Sequence, residues 1–203
     1  MSLYAGIIVA GTASFGAAVG SWRDPMQALY TALKFPLIVM LTALGNGLLN
    51  GMLAPLLGTN ISFRQSLLAV FMSFTIAATV LGAFAPLVYF VIWNTPGLAA
   101  PAASSATIHS LILLTVVAAI ALAGIVSNIR LLQLLQQLSG TRSSARRTLA
   151  GWLAGNLLLG GQISWILRPF VGSPTLSVEF LRSDALRGNF FEAVFHTLQR
   201  LFS

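Results

Sequence analysis

The chain has no cysteine and few charged residues. Without cysteine it cannot form disulfide bonds, thiolate metal sites or a cysteine nucleophile. Charged residues make up 7% of the chain, whereas a typical soluble domain has about 25%. Because hydrophobic residues make up 57%, the chain has too little polar surface to cover a globule in water. The composition therefore predicts an integral membrane protein.

Acidic residues are especially scarce, with four Asp and Glu against eleven Arg and Lys and a formal charge of +7. In a water-soluble chain, such an excess of positive charge would favour nucleic acid as a partner. Here the basic residues lie at the margins of apolar segments, and no basic stripe with interleaved aromatic residues occurs in the sequence. Basic residues in loops beside the membrane, where anionic lipid head groups attract them, account for this placement better than nucleic-acid binding does. The sequence thus predicts the lipid bilayer as a partner and no nucleic acid.

Four apolar segments are long enough for helices that cross a bilayer, which takes roughly 20 residues. They are residues 35–57, 66–93, 107–128 and 149–167. The fourth is the weakest because it contains Asn156, Gln162 and four glycines. Residues 2–20 lack the positively charged start of a secretory signal, so we do not expect them to be cleaved. We expect them to form an extra span, a re-entrant helix or an interfacial helix. The predicted fold is an all-α membrane bundle of four to five transmembrane helices over residues 1–167.

The ends of two helices can also be predicted. Asp24 is placed to cap a helix whose first residue is Pro25, and we expect Lys34 to extend its ammonium out of the membrane before the span begins. Residues 130–138, RLLQLLQQL, keep a helical spacing of leucines. The third helix should therefore continue past the membrane and stop at Gly140.

The first span contains two amides in an otherwise apolar run. Asn46 and Asn50 lie four residues apart and share one helix face, and Gly47 and Gly51 repeat this spacing one residue further on. Small residues allow helices to approach closely in lipid, where amides can hydrogen-bond between them. We favour this packing role over the alternative, in which the amides line a pore or substrate site.

Aromatic residues near the ends of the apolar segments are expected to anchor the bundle at the membrane interface. Trp93 ends the second segment, and Trp152 and Trp165 bracket the fourth. Arg168 adds a charge at the same level as Trp165, directly before Pro169 stops the helix.

Residues 168–203 are predicted to form an interfacial tail with an amphipathic helix over residues 189–202. Asn189 and Glu192 have the spacing of a capping box. The apolar stripe of this helix consists of Phe190, Phe191, Val194, Phe195, Leu198, Leu201 and Phe202. Interfacial membrane helices are usually rich in Lys and Arg on the polar face, and this one is not. We therefore predict that the stripe docks on protein, either this bundle or a partner.

The sequence offers no set of residues typical of catalysis. HExxH, GxSxG and Walker-type phosphate-binding motifs do not occur, and His109 and His196 lack metal-ligand spacing. Ser164 in GGQIS resembles the serine of an intramembrane protease, but Trp165 follows where such a protease has glycine. Its chemistry would need His109 as a base within hydrogen-bond reach. We therefore expect no catalytic residue, no metal site and no cofactor.

Three features together resemble a family of uncharacterised bacterial polytopic inner-membrane proteins. They are the run DPMQALYTALKFPL, the first span interrupted by glycine and asparagine, and the segment LRPFVGSP. The order of spans is also similar to that of Yip1-type multi-span membrane proteins. The resemblance implies a multi-pass helical bundle in a bacterial inner (plasma) membrane and supplies no catalytic residue.

These features lead to one main functional hypothesis and two alternatives. The main hypothesis is a non-enzymatic structural or scaffolding subunit of a membrane complex, with other membrane subunits or further copies of the chain as partners. The first alternative is a small transporter or channel with a polar path lined by Asn46, Asn50, Asn156 and Gln162. The second is an intramembrane hydrolase, which requires His109 near Ser164.

Overall fold

The computed structural model describes residues 1–56, 61–95, 102–172, 177–193, 195 and 199, and leaves undescribed the side chains at 54, 55 and 102–107. Five long helices follow one another in these residues, which contain no strand. They are α1 (Ser2–Gly20), α2 (Pro25–Leu56), α3 (Phe63–Trp93), α4 (Ala102–Ser139) and α5 (Arg142–Leu167). The predicted all-α bundle is confirmed.

Among the described residues, four stretches are long and apolar enough to cross a membrane. They are Ser2–Gly20, Pro25–Leu53, Phe63–Trp93 and Ile108–Ser139. Residues 2–20, for which the sequence left three arrangements open, thus have the length and composition of a span. Residues 149–167 lie in α5, which is not among the four described stretches that meet this test, because its amides and glycines lower its hydropathy. The crossing of the membrane by α5 stays a prediction.

The helix ends agree with the local sequence signals. α2 begins at Pro25, and Asp24 accepts a hydrogen bond from the backbone N–H of Met26 at 2.7 Å, as expected of a cap. α4 runs past the apolar segment to Ser139, and Gly140 follows with a φ of 71°. This left-handed backbone favours glycine, so the predicted helical extension and its end are both confirmed.

Glycines allow α1 to pack closely against α2 and α3. A Cβ on Gly11 would overlap the carbonyl oxygen of Ala78 in α3, and one on Gly16 would overlap that of Thr31 in α2. A Cβ on Gly20 would lie 2.7 Å from the Cα of Ala28. Real side chains do not come this close to a backbone, so these glycines set the spacing of the three helices.

In the part of the chain that the structure describes, the buried apolar residues form two clusters at opposite ends of the bundle. One joins the end of α1, Phe35, the second half of α3, the first half of α4 and Val171. We call this end, where α5 also finishes, the tail end. The other cluster joins Ile8, the first half of α3, the second half of α4 and the start of α5. Successive helices therefore run antiparallel.

The chain after α5 folds back onto the tail end. Arg168 forms an ion pair with Asp184 at 3.3 Å and lies over the ring of Trp165, 3.7 Å from its centroid. The indole N–H of Trp165 donates to the carbonyl of Arg187 at 3.1 Å. These contacts attach residues 177–188 to the end of α5.

Candidate functional site

A cavity of about 460 Å³ lies inside the bundle and is lined by residues of all five helices. Ligand sites in proteins typically have volumes of about 300 to 1,000 Å³. Most of the wall is apolar, including Ile38, Phe74 and Leu81. The cavity is therefore large enough for a small ligand and suits one that is largely apolar.

The cavity opens sideways between α4 and α5. Three of its lining residues are also exposed on the outside of the bundle: Ile120 at 44%, Leu153 at 39% and Leu157 at 60%. In a bilayer, this apolar outer surface contacts lipid chains. A molecule could therefore enter from the hydrocarbon without passing through water.

Polar side chains in the cavity wall differ in whether they have hydrogen-bond partners. Thr12 donates to the carbonyl of Ile8 at 2.6 Å, and Asn128 donates to that of Gly124 at 2.8 Å. These bonds lie within single helices. Thr42 is 4% exposed, and its hydroxyl has no partner among the described residues. Leaving such a group unpaired in an apolar wall costs about 1–3 kcal/mol.

Asn46 joins α2 to α5. Its Nδ2 donates to the side-chain oxygen of Asn156 and, at 3.4 Å, to the carbonyl of Trp152. A Cβ on Gly155 would lie 2.6 Å from Asn46 Oδ1, so that glycine makes room for the amide. This arrangement has the geometry of interhelical packing.

Asn50 lies fully buried one turn further along α2, and neither end of its amide has a partner in the described structure. Beside it, Gly47 and Gly51 make room for Leu67 and Phe63 of α3.

Gln162 accepts a hydrogen bond from the backbone N–H of Phe190 at 3.4 Å. It therefore binds the tail.

Of the four amides predicted to line a polar path, the structure brings only Asn156 to the cavity. Thr42 is the wall residue that the sequence reasoning missed. It precedes Asn46 by four residues and therefore shares the helix face of the two amides. That spacing could have identified it, but a threonine in an apolar run is too common to single out.

The predicted interface anchors differ from one another in burial. Trp93 is 81% exposed, and Trp165 is partly buried under the tail. Trp152 is completely buried, so it packs between helices, and its role as an interface anchor stays a prediction. It lies with Ala145 and Thr148 on the buried face of α5 and packs in the core near the end opposite the tail.

The tail stripe contacts the bundle through its first residue. The ring of Phe190 lies against Gly161, 3.0 Å from where a Cβ would sit. Phe191 and Phe195 are 36% and 58% exposed. The remaining stripe residues lie outside the described residues, namely Val194, Leu198, Leu201 and Phe202.

Lys34 is completely buried, so the prediction that it extends out of the membrane was wrong. Residues 169–170 cover it, and its ammonium donates to the carbonyl of Pro169 at 3.1 Å. Two further residues on the same face of α2 bind this segment. Gln27 donates to the carbonyls of Pro169 at 3.2 Å and Phe170 at 3.0 Å, and Thr31 donates to that of Phe170 at 2.7 Å.

The structure does not bring together the residues that a hydrolase would need. Ser164 lines the cavity between α2 and α5, whereas His109 lines a separate pocket at the tail end. The His109 ring packs against Trp22, with a centroid distance of 5.5 Å. Within the described ranges, no group of three or more His, Cys, Asp or Glu is placed to hold a metal ion.

Comparisons of the chain with protein-family models, curated proteins and solved structures found no match. The resemblance to a bacterial inner-membrane family and to Yip1-type proteins stays a prediction. The length and apolarity of four helices indicate a membrane protein with a transmembrane helical bundle.

Proposed function

We propose that the chain is a non-enzymatic integral membrane protein that binds a largely apolar molecule with one hydrogen-bonding group. The ligand would enter the cavity from the lipid and place its polar group against Thr42. A long-chain alcohol or amide has this chemistry. The bacterial inner membrane implied by the family resemblance is the proposed location.

One observation carries this proposal: Thr42 lines an apolar cavity, and its buried hydroxyl has no partner among the described residues. A bound alcohol would give this hydroxyl the partner that the described residues do not provide. The hydrogen bond would contribute about 0.5–1.5 kcal/mol, and burial of the apolar part would supply most of the remaining affinity.

A photoreactive long-chain alcohol tests the proposal. The purified protein, in detergent micelles, is titrated with a dodecanol that carries a diazirine on its chain, and labelled peptides are identified by mass spectrometry. We expect saturable labelling of residues 120–128 and 153–164, with competition from unlabelled dodecanol. Thr42→Val should weaken binding by about twofold to tenfold, the loss of one neutral hydrogen bond.

Gly124 and Gly6 provide a matched pair of variants. Gly124 lines the cavity, and a Cβ there would meet no atom within 4 Å. Gly124→Phe should therefore fill the cavity without a clash at Cβ and abolish saturable labelling. Gly6 has equally open surroundings but lies outside the cavity, so Gly6→Phe should label like the parent chain. Equal labelling of the two variants, or labelling that never saturates, would refute the proposed site.

The subunit or scaffolding function is the second candidate, and the outer face of α2 supports it. Leucines are exposed there at three- and four-residue spacing, the spacing with which two helices interlock. They are Leu29, Leu33, Leu37, Leu41, Leu44 and Leu48. Mass measurement after extraction in mild detergent tests this candidate. A co-purifying protein or a homo-oligomer would support it, and a monomer alone would count against it.

A further inference from the structure

A second pocket, of about 220 Å³, lies at the tail end of the bundle. His109 and Leu113 of α4 form one wall, Pro169 to Gly172 form another, and Arg182 from the tail completes it. It shares no lining residue with the larger cavity. Unlike an apolar groove, this pocket has a positively charged side chain, Arg182, in its wall.

The charged groups at and directly behind this pocket are cationic. Arg182 lines it, and Lys34 lies behind Pro169 with its ammonium bound to that residue's carbonyl. The ring of Phe180, two residues before Arg182, lies 5.3 Å from the Lys34 ammonium, so the two positive charges lie near each other. Among the described residues, no carboxylate lies within ion-pairing distance of either charge, since the ion pair found there joins Arg168 and Asp184.

Burying an ammonium without a counter-charge costs several kcal/mol. For Lys34, the described structure offers only a carbonyl and the ring of Phe180, which lies 5.3 Å from the ammonium. These are partial charges and do not neutralise two cations. An anion in the pocket would lie beside Arg182 and near Lys34. It would lower the electrostatic energy of both positive charges.

His109 adds a neutral hydrogen-bonding group to the same pocket. Its Nδ1 is buried and has no partner in the part of the chain that the structure describes. Imidazole can donate or accept through this atom. A ligand with several oxygens could therefore bind Arg182 and His109 at once.

The position of the pocket favours an anion with an attached apolar chain. Leu113 lines the pocket and is 42% exposed on the outside of α4. Further exposed apolar residues follow it along the same helix. Trp165 and Arg168, predicted to lie at the interface, belong to the same end of the bundle. A head group in the pocket would thus have its acyl chains along α4.

We propose that the pocket lined by Arg182 and His109 binds a phosphate group, with an anionic phospholipid head group as its main source. Guanidinium matches phosphate geometry with two parallel hydrogen bonds, and the buried charge of Lys34 strengthens the attraction. This proposal does not depend on the function assigned to the larger cavity.

The test uses the full chain purified in a mild detergent and a phosphatidylglycerol with a fluorescent acyl chain as probe. The parent protein should bind the probe saturably. A diacylglycerol with the same fluorescent chain lacks the phosphate, and its binding should be at least about tenfold weaker, as expected for loss of a charge-assisted hydrogen bond. Equal binding of the two probes would overturn the proposal.

Two arginines in the same segment provide the matched variants. Arg182→Ala should raise the Kd for phosphatidylglycerol by about tenfold or more, and Arg182→Lys should retain part of the affinity. Arg187 is exposed and does not line the pocket, so Arg187→Ala should leave the Kd unchanged. Equal losses in the two alanine variants would indicate general surface attraction and refute the site. If Arg182→Ala does not fold, the comparison of the two probes on the parent protein decides the question.

Inorganic phosphate distinguishes the two sources of the group. If it displaces the lipid probe at millimolar concentration, the pocket accepts free phosphate as well. If it does not, the acyl chains contribute and the lipid is the source. Both results support a phosphate site, whereas saturable binding of the lipid that survives Arg182→Ala unchanged contradicts it.

Discussion

The packing of α1 can be tested with a single methyl group at Gly11. A Cβ there would overlap the carbonyl oxygen of Ala78 and lie 2.9 Å from its carbonyl carbon, where ordinary contact begins at 3.4 Å. Both partners belong to helix backbones, so neither can rotate away. In Gly11→Ala, α1 and α3 must therefore separate along their contact.

The size of the effect follows from two opposing terms. Overpacking a close contact typically costs about 1–3 kcal/mol, while replacing glycine by alanine inside a helix gains about 1 kcal/mol. Gly6→Ala, in the same helix, has the gain without the clash because nothing lies within 4 Å of its added Cβ. The free energy of unfolding should therefore be lower for Gly11→Ala than for Gly6→Ala by about 1–3 kcal/mol.

Titration with SDS in mixed micelles, followed by circular dichroism, measures the free energy of unfolding of each variant at the same SDS fraction. Using Gly6→Ala as reference removes the helix-propensity term. If the two variants differ by less than about 0.5 kcal/mol, below the cost of a close contact, α1 does not pack on α3 through Gly11. An interfacial helix, one of the arrangements that the sequence left open, would then fit α1 better.

Two further predictions concern contacts of α5. Asn46→Leu and Asn156→Leu should each lower the free energy of unfolding, and the double variant should lower it by less than the sum. The coupling should be about 0.6–2 kcal/mol, the range for hydrogen bonds between membrane helices, and additive losses would show that the amides do not bind each other. Phe190→Asp should make the tail more susceptible to limited proteolysis, because Phe190 lies against Gly161, whereas Phe195→Asp should change the cleavage rate little, because Phe195 is 58% exposed. A larger effect at Phe195 would mean that the stripe docks through its outer residues.

The fold class and several helix ends were accessible from sequence because they depend on local signals. Apolar segments with few charges predict spans, and Asp24-Pro25 and Gly140 mark the ends of helices through their own backbone preferences. The same local logic misplaced Lys34. Its burial depends on residues 169–170, which are distant in sequence and cover it only after the chain turns back at the end of α5.

The candidate sites were less accessible because they are formed by contacts between helices. Asn46 and Asn156 were identified as notable amides, but their pairing depends on the way α2 packs on α5. Trp152 was placed at an interface because it begins an apolar segment, whereas its burial depends on the rotation of α5 about its axis. Thr42 carries the proposed ligand contact, and only the cavity distinguishes it from other threonines in apolar surroundings.

The central claim is that hydrocarbon surrounds the exposed apolar faces of α2 and α4. Because the chain has no cysteine, single cysteines at Leu41 and Val117, which are 49% and 59% exposed, can carry nitroxide spin labels in liposomes. Oxygen concentrates in hydrocarbon and a nickel chelate in water, so both labels should collide more often with oxygen, and a label at Ser143 at the exposed start of α5 should show the reverse. Greater accessibility to nickel at Leu41 and Val117 would place these faces in water and contradict the membrane bundle.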